Sequence, residues 1–298
     1  MLIAPHARAW LAGPGGRLTH VFDAAAYALN RVGDVLALTS EQIGPGPLSL
    51  VIRAPSTAIG RLSPGAEVSL SQECLEVDGL RVRLTTAEGW DSRPPWQELL
   101  PLASRLRSLW PLLRDLAIRF SPRGSLAGLL EDVDRSISAA NVEGRVLAKA
   151  REGVPALRAA LRSELLAERS DDTASEIDRA AQCLAGLGGG FTPAGDDFLL
   201  GVMYALWSAI EARHAAAASR TMAEAAARRT TTVSAAYLRA AAAGAAAQPW
   251  HALVESQWQN EPYAMERAVA QICRVGHTSG SDALAGYLIG LKEILGPR

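Results

Sequence analysis

Two kinds of hydrophobic pattern follow each other along the chain. Up to about residue 92, short apolar runs alternate with glycine- and proline-rich turns, as in GDVLALTS, PLSLVIRAP, AEVSLSQECLEV and LRVRLTT. Runs of this kind predict β-strands, and the Asp78-Gly79 pair between the last two predicts a tight hairpin. The same part of the chain also contains one predicted short helix, over residues 23–31.

After the Pro94-Pro95 pair, apolar residues recur at helical spacing. The pattern predicts helices over residues 96–120, 126–137, 142–168, 175–187, 197–214, 220–243, 261–275 and 282–295. From this change we predict an α+β fold, because strands and helices are segregated along the chain. A small β-rich N-terminal domain, residues 1–92, is followed by a larger, mostly helical domain, residues 93–298.

Composition narrows the classes of function. The 298 residues are 49% hydrophobic and carry a net charge of −1, so no overall basic field favours nucleic acid as a partner. No apolar run approaches the roughly 20 residues of a membrane helix, which predicts no membrane partner. The three cysteines lie far apart and the N-terminus has no signal-peptide core, so we expect a cytoplasmic protein without a disulfide framework.

A glycine-rich loop is the most informative segment. Residues 186–201 read GLGGGFTPAGDDFLLG and lead directly into a predicted helix. Glycine backbones can approach a ligand closely and the N–H groups at a helix start bind anions, so this loop predicts a site for a small anion. A structural role stays open beside it, because glycines also form tight turns and aspartate is a preferred helix cap.

Asp196 and Asp197 stand together where that helix starts. Two carboxylates at one point can hold a hard cation such as Mg²⁺, which commonly bridges to phosphate. Mg²⁺ is therefore the one candidate cofactor, and the sequence establishes none. The histidines have no zinc-ligand spacing.

A second segment repeats the order of the first. Residues 276–286 read GHTSGSDALAG, and aligning Thr278 with Thr192 also aligns Asp282 with Asp196. His277 lies inside this segment and is the best candidate for a general acid or base.

The helices that follow the two segments are apolar nearly all round, which predicts that both are buried. Gly201, Gly286 and Gly290 interrupt them, and a glycine inside a helix indicates close backbone contact. We therefore expect the two helices to touch. If they run parallel, both segments open at one end and form one site.

Hydroxyl side chains cluster at residues 230–234, inside a predicted alanine-rich helix. Threonines form helices poorly and their hydroxyls bond the preceding turn, so the cluster indicates either a kink or a patch of donors that faces the site. Thr231, Thr232 and Ser234 are the members taken as candidate ligand contacts.

Together with IGPGPLSLVI and TTTVSAAYLRAAAAG, the two glycine-containing segments resemble a bacterial family long catalogued only as a domain of unknown function. One member is a subunit of oxamate carbamoyltransferase, in the anaerobic breakdown of allantoin, a purine-degradation product. The resemblance covers most of the chain and is most specific in the first segment. It implies a multi-component enzyme that interconverts oxalurate plus phosphate with oxamate plus carbamoyl phosphate. A small anion and other subunits are then the expected partners.

For that chemistry the candidate catalytic residues are Asp196, Thr192 and His277. Thr192 would donate to the developing oxyanion, and Asp196 would orient hydroxyls or bind a cation. The other residues expected at the anion are Gly188, Gly189, Gly190, Gly195, Asp197, Thr231, Thr232, Ser234, Thr278, Ser279, Gly280 and Asp282.

Two functions from different classes are compatible with these residues. The first is an enzyme or enzyme subunit that acts on a small carbamoylated or phosphorylated anion. The alternative is a non-catalytic protein that senses a metabolite or docks another subunit. A deep pocket lined by both loops favours the first function, and a large exposed apolar patch favours the second.

Overall fold

A computed structural model describes residues 1–71, 73–131, 141–166 and 171–296. The chain divides into two compact units, unit 1 with Met1–Arg93 and Ala245–Gln248, and unit 2 with Pro94–Gly244 and Pro249–Arg298. The strands lie within residues 2–89 and the later described residues are helical, so the predicted α+β class is confirmed. That residues 1–92 and 93–298 are separate domains stays a prediction.

Unit 1 is built on one curved sheet that forms a half-barrel. The described residues of this unit form nine strands, which in chain order are β1 Leu2–Ile3, β2 Gly16–Val21, β3 Ala25–Leu29, β4 Val35–Ser40, β5 Ser49–Ile52, β6 Glu67–Leu70, β7 Cys74–Val77, β8 Leu80–Arg83 and β9 Glu88–Gly89. In the sheet they follow the order β8-β7-β6-β2-β3-β4-β5-β1-β9. Pairs β4/β5 and β1/β9 are parallel and the others are antiparallel.

The core of unit 1 lies on one face of this sheet. Helices α1 Pro5–Leu11 and α2 Ser56–Gly60 contribute Trp10 and Ile59 to the same buried cluster as Leu38, Leu50 and Val82. The predicted hairpin is confirmed: Asp78 and Gly79 both have positive φ, 48° and 79°, as its two-residue turn requires.

The helix predicted over residues 23–31 is wrong. Ala25–Leu29 forms β3, which pairs with β2 on one side and β4 on the other. Three alanines in this segment favour a helix by local propensity, but two neighbouring strands satisfy the backbone groups of β3 and bury its side chains. Tertiary pairing therefore outweighs propensity here.

Unit 2 consists of helices around a central pair. They are α3 Ala103–Phe120, α4 Val142–Leu166, α5 Asp171–Leu184, α6 Ala194–Ala209, α7 Ala212–Ala227, α8 Thr232–Ala242, α9 Gln248–Gln259, α10 Pro262–Cys273 and α11 Ser279–Leu295. Short 3₁₀ helices span Trp96–Leu102 and Leu126–Leu130, and a third, Leu84–Thr86, belongs to unit 1.

Several predicted helix bounds need correction. The segment 197–214 is two helices, because Ile210 is extended between α6 and α7. The segment 220–243 is also two, because the chain turns after Ala227 and α8 starts only at Thr232. Helix α9 was not predicted, and the first turns of the segment 96–120 are 3₁₀. Only Leu126–Leu130 of the segment 126–137 is seen as helix, and residues 132–137 lie outside the described residues.

Helices α6 and α11 form the buried centre of unit 2. They run in the same direction and contact each other reciprocally: a Cβ at Gly201 would overlap the carbonyl oxygen of Ala283, and a Cβ at Gly286 would overlap that of Phe198. Further along, a Cβ at Gly290 would lie 2.7 Å from that of Ala205. The expected contact between the two helices is confirmed, and its close approach depends on glycine.

Among the described residues, no helix combines the length and the apolar character that a membrane span requires.

Replacing Gly286 by alanine should destabilise the protein by about 1–3 kcal/mol, because the added methyl group forces two packed helices apart. Chemical unfolding should show a lower free energy of unfolding. Gly46→Ala is the matched control, since its Cβ would meet only Ala247, at 4.0 Å. Equal stability of both variants would contradict glycine-dependent packing between α6 and α11.

Candidate functional site

The two glycine-containing loops meet at the start of α6 and α11. Thr192, just before α6, has its Oγ1 2.9 Å from the Oγ of Ser279, the first residue of α11. The predicted meeting of the loops is therefore confirmed. Its direct contact involves Ser279, and that Thr192 and Thr278 line one cavity stays a prediction.

Each central helix begins against the end of the helix before it. A Cβ at Gly195 would overlap the carbonyl oxygen of Leu184, the last residue of α5. A Cβ at Gly280 would overlap that of Ile272, in the last turn of α10. Close backbone packing therefore explains why glycine stands at both positions, and this explanation does not require a bound ligand.

The reciprocal contacts establish which residues of the two segments correspond. Gly195 matches Gly280 and Gly201 matches Gly286, and with the same spacing Asp197 matches Asp282. The sequence alignment that paired Asp282 with Asp196 is therefore wrong by one residue. The sequence alignment matched Thr192 with Thr278, but these threonines lie in loops of unequal length. The glycine contacts, in contrast, relate the residues of the two helices by one constant spacing.

Asp197 is a buried carboxylate behind two hydroxyl groups. Thr192 Oγ1 donates a hydrogen bond to its Oδ2 over 2.9 Å, and the Ser279 hydroxyl also bonds to it. Burial raises the pKa of Asp197 to about 7, the two hydroxyls oppose the rise, and the charges of Asp282 and Asp196 add to it. A carboxyl group with this pKa changes its protonation state near neutral pH.

Asp282 is fully buried on the corresponding turn of α11. Its Oδ1 accepts a 2.6 Å hydrogen bond from the backbone N–H of Leu126, in the 3₁₀ helix after α3. Burial raises the pKa of Asp282 to about 6, although the Leu126 N–H, the Thr278 side chain and the charge of His277 lower it. Sequence reasoning missed Leu126, because a backbone donor leaves no signal in the residue type.

Asp196 faces a different neighbour. It accepts hydrogen bonds from the backbone N–H of Gly186 and from the Ser234 hydroxyl, both over 2.8 Å, and from the Thr230 hydroxyl. Burial nevertheless raises its pKa. Asp196 thereby ties the first loop to the start of α8. That Asp196 is catalytic stays a prediction, and the geometry supports a positioning role.

The hydroxyl cluster at residues 230–234 lies at a helix start, which corrects the prediction of a cluster inside one helix. Thr231 is the N-cap of α8, and its Oγ1 accepts a 3.1 Å hydrogen bond from the backbone N–H of Ser234. Thr231 and Thr232 are exposed, whereas Ser234 is buried. Thr230 and Gly186 join the site although they were not predicted as site residues.

The remaining predicted residues lie nearer the surface. Gly188 and Gly190 have positive φ, 101° and 102°, which shapes the first loop, and Gly189 has open space where a Cβ would be. Gly189, Gly190 and His277 are exposed, and Thr278 is half-buried. Contact of these residues with an anion stays a prediction, as does the role of His277 as acid or base.

The arrangement gives no support to one Mg²⁺ held by Asp196 and Asp197. Their carboxylates accept hydrogen bonds from different segments, Asp196 from the start of α8 and Asp197 from Thr192 and Ser279. In the part of the chain that the structure describes, no group of three or more histidine, cysteine, aspartate or glutamate side chains is placed to hold a metal ion.

The site can therefore move a proton and present hydroxyl groups. When Asp197 is ionised, Thr192 and Ser279 donate to it, so their lone pairs are left for a ligand. When Asp197 is protonated, it can donate to one of these oxygens, and that hydroxyl is then free to donate to an anion. Two helix starts at the same place add partial positive charge.

The stability of the protein should depend on pH through Asp197. Its pKa is 3.8 without the fold and about 7 within it, so between these values the folded protein binds more protons than the unfolded chain. Stability should therefore fall as pH rises from about 4 to about 7. In Asp197→Asn the fall should be smaller, as measured by urea unfolding at a series of pH values. An unchanged slope would contradict the raised pKa, and exposed Asp115→Asn serves as control.

The two neighbouring aspartates should differ when each is replaced by asparagine. Asp196→Asn places an amide where three donors converge and should lower the free energy of unfolding at pH 7 by about 1–3 kcal/mol. Asp197→Asn removes a buried charge and should leave stability at pH 7 equal or higher. Thermal unfolding of both variants measures this, and the reverse order would contradict the assigned environments.

The comparisons with known proteins bear on this same region. Residues 184–291, from the last residue of α5 into α11 and across both loops, match the family model described as oxamate carbamoyltransferase subunit AllH. Comparison with curated proteins and comparison with solved structures each give no match. The resemblance predicted from the two loop segments is thus confirmed over residues 184–291, which are similar to the family of oxamate carbamoyltransferase subunit AllH.

Proposed function

We propose that the protein is a subunit of a carbamoyl-transferring enzyme and that the site at the start of α6 and α11 binds its small anionic substrate. The observation that carries this proposal is the contact of Thr192 with Ser279 in front of the buried Asp197. The family match spans every residue of that contact, and the family is described as a subunit of oxamate carbamoyltransferase.

An anion near three carboxylates needs hydrogen-bond donors to offset repulsion. The exposed backbone of Gly189 and Gly190 offers N–H groups, and the two helix starts add partial positive charge. Protonation of Asp197 removes one negative charge and frees a hydroxyl of Thr192 or Ser279 to donate. Donors fixed in this way stabilise the negative charge that develops on a carbonyl oxygen during acyl transfer.

The proposed reaction converts oxalurate and phosphate to oxamate and carbamoyl phosphate. A phosphate oxygen bonds to the carbamoyl carbon of oxalurate, and the bond from that carbon to the oxamate nitrogen breaks. The nitrogen takes a proton and leaves as the amide of oxamate, while hydrogen phosphate loses one. Asp197 can supply the first proton through Thr192 or Ser279 and recover the second, because its pKa of about 7 suits both transfers.

The same proposal includes other subunits as partners and a place in the cytoplasm, where small metabolites of this type are present. A subunit of a larger assembly needs its partners for full activity, so the assay must contain them. The alternative function is a protein that senses an anion without converting it. The same assay distinguishes this alternative from the enzyme subunit.

The test measures carbamoyl phosphate formed from oxalurate and phosphate, with the partner subunits present. We expect Asp197→Asn to lower kcat by about 10²–10⁴-fold, the range for loss of an acid–base group. Ser279→Ala should lower kcat less, because Thr192 still bonds to Asp197. Asp115→Asn, an exposed aspartate on α3, should retain wild-type activity.

Two outcomes would contradict the proposal. Wild-type kcat in a folded Asp197→Asn variant would remove this residue from the reaction. No turnover in the complete wild-type mixture, combined with a thermal shift on addition of oxamate or phosphate, would favour the sensing function.

A further inference from the structure

The two central helices each carry one buried carboxyl group at the same place. Asp197 is the fourth residue of α6 and Asp282 is the fourth residue of α11, and the glycine contacts between the helices put the two in register. Asp197 is 9% exposed and Asp282 0%. Two negative charges in one part of a protein interior repel each other, because little water screens them. The state in which both groups are ionised is therefore disfavoured.

The hydrogen-bond partners of the two carboxyl groups differ in what they can do. Asp197 is bonded to the hydroxyls of Thr192 and Ser279, and a hydroxyl group can donate or accept. These partners therefore suit Asp197 in both protonation states. Asp282 Oδ1 is bonded over 2.6 Å to the backbone N–H of Leu126, which can only donate. A donor of this kind favours the ionised form of a carboxyl group.

The second oxygen of Asp282 favours the same form. Oδ2 is buried and has no hydrogen-bond partner among the described residues. A proton bound there would have no acceptor, whereas a proton on Asp197 has two hydroxyl oxygens beside it. The Thr278 side chain and the charge of His277 also favour the ionised form of Asp282. Its position in the first turn of α11, at the positive end of the helix dipole, acts in the same direction.

Two further titratable groups on α6 act on Asp197 or are acted on by it. Asp196 is its neighbour, and the charge of Asp196 adds less to the raised pKa of Asp197 than the charge of Asp282 does. Tyr204 lies about two turns further along the helix and is buried. Burial raises the pKa of the Tyr204 hydroxyl, which therefore stays neutral. Neither group supplies a positive charge that would let both carboxyl groups ionise.

The elements packed against α11 differ in the groups that they bring. The 3₁₀ helix Leu126–Leu130 contains no titratable side chain. At the end of α10, burial raises the pKa of the Cys273 thiol, so this group is neutral as well. The ion pairs between α4 and α11 involve Glu293, and the cation that α11 places over an α3 tryptophan is Lys292. Both lie toward the other end of α11, so these charges do not pair with Asp282.

We infer that Asp282 remains ionised at neutral pH and that its charge, acting across the contact of α6 and α11, holds the proton on Asp197. Asp282 is thus a positioning residue that acts through Asp197, since it is fully buried. Its part in the reaction rests on the proposed function, in which Asp197 supplies a proton to the leaving nitrogen. Without the charge of Asp282, Asp197 would lose this proton at a lower pH.

A titration followed by ¹³C NMR tests the inference on the full chain alone. The carboxyl carbons of aspartate are labelled and assigned through their backbone N–H signals. In the wild type the Asp282 carboxyl should titrate at lower pH than that of Asp197. In Asp282→Asn the pKa of Asp197 should fall by about 1 or more, because a like charge has been removed. Ser281→Ala is the matched control, since it changes the neighbouring buried residue without changing charge, and it should leave the pKa of Asp197 unchanged.

Two results of this titration would overturn the inference. One is an unchanged pKa of Asp197 in a folded Asp282→Asn variant. The other is an Asp282 carboxyl that titrates above Asp197 in the wild type, and this measurement needs no variant to fold.

The complete enzyme mixture gives a second readout. In Asp282→Asn the alkaline limb of kcat against pH should move to lower pH by the same amount, because Asp197 must hold a proton in order to donate it. A merely structural defect would lower kcat at every pH and leave the limb in place, and that result would overturn the positioning role. No turnover by the wild type would contradict the proposed function, whereas the NMR titration would still decide whether Asp282 holds the proton on Asp197.

Discussion

The contact between α6 and α11 is the constraint on which the candidate site depends. At Gly201 and Gly286 each helix backbone lies against a carbonyl of the other, so a side chain at either position would separate them. Because the two helices run in the same direction, their first turns come together. The positive ends of two helix dipoles then face one small region. Buried carboxylates would be strongly destabilised in an apolar interior, and this region gives them hydrogen-bond donors and favourable charge.

The environments of Asp196 and Asp197 show how adjacent residues on one helix acquire different chemistry. Successive side chains on a helix are about 100° apart, so they meet different neighbours. Asp196 faces the start of α8 and accepts three hydrogen bonds, one from the first loop and two from residues at the start of α8, so it connects these two segments. Asp197 lies where the two loops meet, and its partners are the hydroxyl groups of Thr192 from the first loop and Ser279 from the second, which can reorient. A buried carboxyl group next to reorienting hydroxyls can exchange a proton without a change in the backbone.

Local signals in the sequence were sufficient for the fold class, the hairpin at Asp78-Gly79 and the buried central helices, because each depends on neighbouring residues. The same signals failed at Ala25–Leu29, where alanine-rich sequence becomes a strand only because two others flank it. They also failed for the correspondence of the two loops. The threonines gave the more visible match, but helix packing follows the glycines, and packing is not visible in an alignment of residue types. The donor from Leu126 to Asp282 belongs to the backbone of a distant segment and could not be predicted.

The shared register of the two central helices limits where this fold tolerates changes in chain length. The connection from Leu184 to Gly195 is longer than the one from Ile272 to Gly280, yet both deliver a glycine to the same kind of contact. An insertion before either glycine changes only a loop. One residue inserted between Asp197 and Gly201 would rotate the carboxylate by about 100° relative to the packed face and disconnect it from Thr192 and Ser279. Length variation among natural relatives should therefore accumulate in the loops and be absent from the turns that join each aspartate to its glycine.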